Sequence, residues 1–449
     1  GSVAVFKAYD IRGKCPEQIN ETLAKKVGRA FADFLGNAGT VAVGHDMRPS
    51  SPGLSAALAE GLHEGGVDTL EIGQVTSPTL YFAVGSRELA GGVMITASHN
   101  PAGDNGFKIC REGVRPVGSQ SGLNEIQASC EGELPAPLAT RGTATKANLS
   151  EAYLDHVLKV AGGEIGPLKV AIDCGNGVAG PTVEKFLARL PQVEAVKLYF
   201  EPDGTFPNHP ANPIVSENLI DLCEAVKANG CDLGVALDGD GDRCVFVDEK
   251  GVRVLSDLTT ALFAGHVLAS DPGAHVVYDA VSSNVVKEEV EKAGGVAIQE
   301  RVGHAFIKAT MREKDAAFAG ENSGHYYWRD HWYADSALIA IARLLGIRSE
   351  RGVALSELMS PLRRTAQSGE RNYSVADKDA ALAELKATFV SDDVSHLDGV
   401  TIRMQGWWFN ARKSNTEPLL RLNVEAQDPD DLAEGLRRLE TILGSPSSH

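Results

Sequence analysis

Long apolar runs are missing. Nowhere in the 449 residues do 18 apolar side chains follow one another, so no membrane span is expected. Basic residues are in deficit: 43 Lys and Arg stand against 60 Asp and Glu, a formal net charge of −17. That balance argues against a nucleic-acid-coating protein, which would be basic. It also repels anions in general, so an anionic substrate needs cations gathered locally. Aromatics are sparse, at 6%. The seven cysteines are odd in number and form no Cys-x-x-Cys pair, which favours reduced thiols. No secretory leader is read, and together these signs point to the cytoplasm. No Gly-x-Ser-x-Gly elbow occurs, so a hydrolase triad is not indicated.

What the chain does have is glycine, 47 residues of it, and a recurring pattern. An apolar run at 41–44 ends at His45-Asp46 and leads into a helical stretch over 55–64. A second, at 168–172, ends at Asp173 and leads into a helix over 181–190. A third, at 275–278, ends at Asp279 and leads into a helix over 284–293. Each is followed by another apolar run, at 67–72, 195–199 and 296–299. This is a βαβ unit three times over, and such units build parallel sheets. The tail differs. Segments 399–404, 406–411 and 419–426 read as antiparallel strands. A helix is expected after Asp428, with Pro429 at its first position. Linkers are expected over 133–148, 250–256 and 365–372, and fraying over 444–449.

Four loops carry candidate chemistry. Thr96-Ala-Ser98-His99-Asn100-Pro101 follows an apolar strand, which places Ser98 in a turn open to a cleft. A lone serine there is usually a cap or turn residue. His99 and Lys108 nearby could instead stabilise a phosphate carried on Ser98. Asp238-Gly-Asp240-Gly-Asp242-Arg243 offers three carboxylates at alternate positions, which suit Mg²⁺, Ca²⁺ or Mn²⁺. An EF-hand would need Gly where Arg243 stands, and helices where the flanks read as strands. Gly320-Glu321-Asn322-Ser323-Gly324-His325 places a carboxylate and a hydroxyl two residues apart, a pair suited to sugar hydroxyls. Arg412-Lys-Ser414-Asn415-Thr416-Glu-Pro418, with Arg421 beyond, suits a phosphate monoester.

These four loops, in this order, resemble those of the α-D-phosphohexomutase family, in its bacterial phosphomannomutase/phosphoglucomutase form. The resemblance runs from Lys7–Gly13 to the tail. It implies an α/β fold: three related mixed α/β domains and a smaller C-terminal α+β domain around a central cleft. The expected domains are residues 3–148, 149–252, 253–367 and 368–449. It further implies that Ser98 carries a phosphoryl group. Asp238, Asp240 and Asp242, with the phosphate on Ser98, would bind Mg²⁺. Glu321 and Ser323 would contact the sugar. Arg412, Ser414, Asn415, Thr416 and Arg421 would hold the phosphate not being transferred. Tyr9, Arg12, His99, Asn100, Arg243 and His304 would line the cleft, with Lys108 and His325 as acid/base candidates.

The implied reaction interconverts mannose 6-phosphate and mannose 1-phosphate through hexose 1,6-bisphosphate, with activity on glucose phosphates as well. Hexose monophosphates are the implied partners of a monomer or weak homodimer, with no nucleic acid and no membrane. Phosphoglucosamine mutase is the alternative, and a non-catalytic sugar-phosphate-binding homologue is the reading from another class. Two positions depart from the pattern. Asn322 stands where mannose and glucose phosphate relatives have Met and glucosamine phosphate relatives have Gln. Val281 stands where some dual-specificity relatives have a cleft lysine.

Overall fold

The computed structural model describes residues 5–414 and 417–447. Its strands form four separate sheets, of seven, four, five and six strands. The architecture is α/β with four domains, as expected.

The three βαβ openings form as read. Thr40–His45 pairs parallel with Asp68–Gln74, Leu168–Asp173 with Val193–Leu198, and His275–Asp279 with Val296–Glu300. The helices between them are Ser51–Glu64, Gly180–Ala188 and Asn284–Lys292. The first begins four residues earlier than expected, because Pro52 fits a first helical turn, where its missing N–H costs nothing. Central strands such as Leu233–Leu237 are buried along their whole length. Continuous apolar runs are what a strand covered on both faces requires.

Each unit then repeats one further step. A third parallel strand returns to the other side of the first: Gly91–Ile95, Leu233–Leu237 and Phe318–Gly320. An antiparallel strand follows it: Asp104–Arg111, Cys244–Asp248 and Tyr326–Trp328. Chain connections therefore diverge between the first strand and the third. In open α/β sheets that divergence opens a crevice at the carboxyl ends of the strands, where ligands bind.

The fourth domain is antiparallel. Val400–Met404, Trp407–Lys413 and Leu419–Ala426 pair in sequence. Helix Pro429–Leu443 packs beneath them, capped by the Asp428 carboxylate, which accepts from Asp431 N. The expected linker over 365–372 is not one. Ala366–Gln367 and Arg371–Ser374 both pair with Leu419–Ala426. Segment 133–148 also ends in a strand, Ala144–Lys146, on the edge of the first sheet. The tail is tied rather than frayed as far as Ser447, whose N–H donates to Asn372 O at 2.7 Å.

All seven cysteines are free thiols. Among the described residues, no helix is long and apolar enough to cross a membrane.

The first three domains meet at an aromatic junction. His156 Nε2 and His331 Nδ1 lie 2.8 Å apart, and Tyr153 Oη lies 2.8 Å from Ser336 Oγ. Phe82 and Trp332 pack on His156 at ring distances of 5.1 and 5.2 Å. Burial pushes the His156 pKa down to about 4. Its neutral form therefore contributes stability that is full above pH ~6.5, the free-histidine value, and is lost as pH falls through the folded value. The unfolding midpoint of His156→Phe should fall less between pH 7 and pH 4 than that of the unsubstituted protein. Equal falls in thermal melts would refute this.

Candidate active site

Three of the four candidate loops occupy the same place in the three repeats. Each follows the third parallel strand, at the divergence point. Each faces a turn that begins with an aspartate: Asp46, Asp173 or Asp279.

The Ser98 loop is set by Thr96. Its Oγ1 donates to Asp46 Oδ2 at 2.7 Å and accepts from Ser98 N at 2.9 Å. Ser98 adopts φ 54°, in the left-handed region that non-glycine residues avoid, at a cost of about 1–3 kcal/mol. Its Oγ lies 3.0 Å from Asp240 Oδ1 and 3.3 Å from Asp238 Oδ2. The serine is not open to solvent as the sequence suggests. It is 3% exposed, because the second domain's acidic loop covers it. Gly239 allows this approach: a Cβ there would meet Ser98 O at 2.2 Å. Asn100 accepts from Arg12 Nη1 at 3.1 Å, and Arg12 is itself held by Asp10. His99 lies 3.4 Å from Ser98 Oγ. Burial, then the charges of Arg243 and Arg12, hold its pKa well below the ordinary value. It therefore serves Ser98 as a neutral hydrogen-bonding group.

The acidic loop joins Leu233–Leu237 to Cys244–Asp248, an antiparallel pair, so no EF-hand is present. Asp238, Asp240 and Asp242 are all buried, with ligand oxygens within 4.8 Å of one another. Asp238 accepts from the backbone N–H groups of Asp242 and Arg243 and from Arg243 Nε, each at 3.1 Å. Asp240 Oδ2 accepts from Ser77 Oγ and Lys108 Nζ. Asp242 Oδ2 accepts from Lys108 at 2.9 Å, while its Oδ1 is buried with no partner among the described residues. Burial and then the other two carboxylates push the Asp238 pKa well up. Burial opposes charge on Asp242 too, but Lys108 and His325 overcome it and hold that carboxyl low. Three buried carboxylates with one orphaned oxygen fit a hard divalent cation, and the all-oxygen donor set fits Mg²⁺. Burial alone would lower the Lys108 pKa, but Asp240 and Asp242 raise it above the ordinary value, so Lys108 stays cationic.

The third loop meets the second at His325. Its Nδ1 lies 2.7 Å from Ser323 Oγ and 3.7 Å from Glu321 Oε1, and its Nε2 lies 3.6 Å from Asp242 Oδ2. Glu321 is buried, accepting from Tyr327 Oη and from Gly303 N at 2.9 Å. Asn322 donates its N–H to Asp279 at 2.8 Å and its side-chain amide to Val281 O at 3.4 Å. The two departing positions are thus in contact. Arg243 Nη1 donates to Ser323 O at 3.3 Å, tying the acidic loop to this one. His304 is half-buried beside Lys308, and desolvation followed by that charge holds its pKa well below the ordinary value.

The fourth loop sits on the fourth domain. Arg412 and Arg421 are direct partners across adjacent strands. Like charges there are destabilising, which favours an anion between them. Arg412 Nε donates to Asp398 at 3.1 Å. Arg421 donates to Asn372 at 3.0 Å and to Ser414 Oγ at 3.4 Å. Asn415 and Thr416 lie outside the described residues. Tyr9 of the first domain reaches the third. Its hydroxyl donates to Val302 O at 3.2 Å, and a Cβ on Gly303 would lie 2.3 Å from the Tyr9 hydroxyl oxygen. Burial, then the charge of Glu321, pushes its pKa up to about 12. Arg12, Lys108 and Arg243 thus gather at Ser98, whereas Arg421 points within its own domain.

Several residues here carry no sequence signal. Asp398 accepts from Val302 N at 2.8 Å as well as from Arg412, joining the fourth domain to the third. Glu425 does the same through Asn284 N at 2.9 Å and Ser283 Oγ. Arg48 underlies the Ser98 loop through four of its carbonyls. Only the aspartates closing the first strands had a readable cue, their shared place in the three repeats.

Four family models cover nearly the whole chain. Residues 3–134, 151–251 and 256–365 match alpha/beta/alpha domains I, II and III of phosphoglucomutase/phosphomannomutase. Residues 370–441 match its C-terminal domain. Phosphohexose mutases of Xanthomonas campestris are 41% identical over 441 residues, covering 96% of this chain and 97% of theirs. The phosphomannomutase of Salmonella typhimurium is 40% identical over 452 residues, covering 98% of both chains. A phosphoglucomutase/phosphomannomutase family protein of Burkholderia thailandensis superposes with a TM-score of 0.88 at 32% identity, over 99% of this chain and 98% of its own. The chain belongs to the phosphoglucomutase/phosphomannomutase family. Within it, the enzyme class is that of the phosphohexomutases, isomerases that act as intramolecular phosphotransferases.

Proposed function

We propose that the chain interconverts mannose 6-phosphate and mannose 1-phosphate through a phosphoryl group carried on Ser98. The observation that carries this reading is the meeting at Ser98 Oγ of two aspartates from another domain, with Lys108 bonded to one of them. In the first half-reaction the bond from phosphorus to Ser98 Oγ breaks. A free sugar hydroxyl forms the new bond, and its proton passes to a base. The product is a hexose 1,6-bisphosphate. It turns, its other phosphate returns to Ser98, and the proton returns to the sugar oxygen that leaves.

Asp238, Asp240 and Asp242, with an oxygen on Ser98, would hold Mg²⁺, which offsets charge on the transferring phosphoryl oxygens. Lys108 and Arg12 add fixed positive charge on the same side. Lys108 is locked as a cation, which suits that electrostatic part better than proton transfer. His325 stands between the sugar loop and the acidic loop, where a sugar hydroxyl's proton can be taken up. Glu321 and Ser323 would orient the sugar, with Tyr9, His99, Asn100, Arg243 and His304 lining the space around it. Arg412, Ser414, Asn415, Thr416 and Arg421 would hold the distal phosphate. The working units of this reading are residues 3–148, 149–252, 253–367 and 368–449, with strand Ala366–Gln367 at the end of the third lent to the fourth domain's sheet.

The sugar is the finer part of the reading. Among mannose, glucose, glucosamine and N-acetylglucosamine phosphates, kcat/KM should be highest for mannose phosphate and next for glucose phosphate. The measurement uses pre-phosphorylated enzyme. A preference for glucosamine phosphate would overturn the substrate and leave the mutase class standing.

A further inference from the structure

Arg48 is 1% exposed, and every N–H of its guanidinium is used. Nε donates to Asp46 Oδ2 at 3.1 Å. Nη1 donates to Pro101 O at 2.6 Å and Asp104 O at 3.0 Å. Nη2 donates to Ser98 O at 3.2 Å and Asn100 O at 2.9 Å. Five donors meet five acceptors, and four of these are carbonyls of the turn that carries Ser98. A guanidinium has five N–H donors in a fixed planar fork, and an ammonium has three on a flexible stem. No other side chain could hold those carbonyls at once.

The remaining contacts make the anchor rigid. Asp46 also accepts from Arg48 N at 3.0 Å, Ser51 Oγ at 2.6 Å and Thr96 Oγ1 at 2.7 Å. Thr96 in turn accepts from Ser98 N. Both backbone polar groups of Ser98 thus end in the Asp46–Arg48 pair, the carbonyl directly and the N–H through Thr96. The face of Arg48 lies 5.4 Å from the Phe206 ring of the second domain, the domain that supplies the acidic loop.

We propose that Arg48 is a positioning residue for phosphoryl transfer: with Asp46 it clamps the 98–104 turn and keeps Ser98 in its left-handed conformation. Oγ is thereby aimed at Asp238 and Asp240 before substrate arrives. The role rests on the reading that Ser98 carries the phosphoryl group. Arg48 touches neither the sugar loop nor Arg412, so it acts on the transfer step and not on substrate affinity.

The test follows transfer of labelled phosphate from glucose 1,6-bisphosphate to the full-length protein with Mg²⁺, together with kcat and KM for mannose 1-phosphate. In Arg48→Lys, transfer and kcat should fall about 100-fold, the scale of a misplacement near 1 Å, while KM stays within about threefold. Transfer within about threefold of the unsubstituted rate would overturn the proposal. So would a KM that rises in step with the fall in kcat. If Arg48→Lys does not fold by circular dichroism, Thr96→Val decides on the same two readouts, with an expected loss of about 10-fold. Unsubstituted protein that takes no label, or Ser98→Ala protein that takes as much, would instead refute the phosphoserine reading itself.

Discussion

Replacing Ser98 with Ala should lower turnover by at least about 10⁴-fold, the scale seen when a nucleophile is removed from a preorganised site. The substitution deletes one buried oxygen and keeps Cβ, so the fold should lose no more than ~1 kcal/mol. Neither Asp238 nor Asp240 depends on the serine hydroxyl alone. Arg243 donates to Asp238, and Ser77 and Lys108 donate to Asp240. Two readings separate the chemistry from damage to the protein. The thermal midpoint should stay near that of the unsubstituted chain. Intact mass should lose the phosphorylated species, which is heavier by about 80 Da. Turnover that survives in Ser98→Ala, in a coupled assay supplied with glucose 1,6-bisphosphate, would end the phosphoserine mechanism.

The second large effect concerns the acidic trio. Asp240→Asn should cost about 10³-fold in kcat, because it removes charge next to both Ser98 and Lys108. It should also abolish a response that needs no catalysis. A cation that binds only the folded chain stabilises it by about 2.7 kcal/mol at a hundred times its dissociation constant. Added Mg²⁺ should therefore raise the melting temperature of the unsubstituted protein and leave that of Asp240→Asn unmoved. Chelation should remove activity from the unsubstituted enzyme, and Mg²⁺ should restore it. An equal thermal shift in both proteins would place the cation elsewhere.

Much of this site is legible in the order of the amino acids alone. The Asp-Gly-Asp-Gly-Asp run reads as a cation-binding loop when strands flank it, and the strands form as read. The apolar runs at 41–44, 168–172 and 275–278 signal parallel strands because both faces of each are covered. Other features have no such signal. Ala366–Gln367 and Arg371–Ser374 are short and polar, and become strands only because Leu419–Ala426 offers an open edge. Arg48 looks like any arginine two residues beyond a strand end. Its value lies in five acceptors, four of them more than 45 residues away. The neutrality of His99 has no sequence signal either, because it comes from burial and from neighbours in space, Arg243 and Arg12.

The aromatic junction at His156, His331 and Trp332 has a further consequence, in the alignment of one domain on another. The Ser98, Asp238 and Glu321 loops stand on three separate sheets. The alignment of those sheets depends in part on where they are pinned to one another, as at Tyr153–Ser336 and His156–His331. Side chains at this junction thus bear on how the three loops are aligned although they touch none of them, alongside the direct bonds from Ser98 to Asp240 and from Arg243 to Ser323.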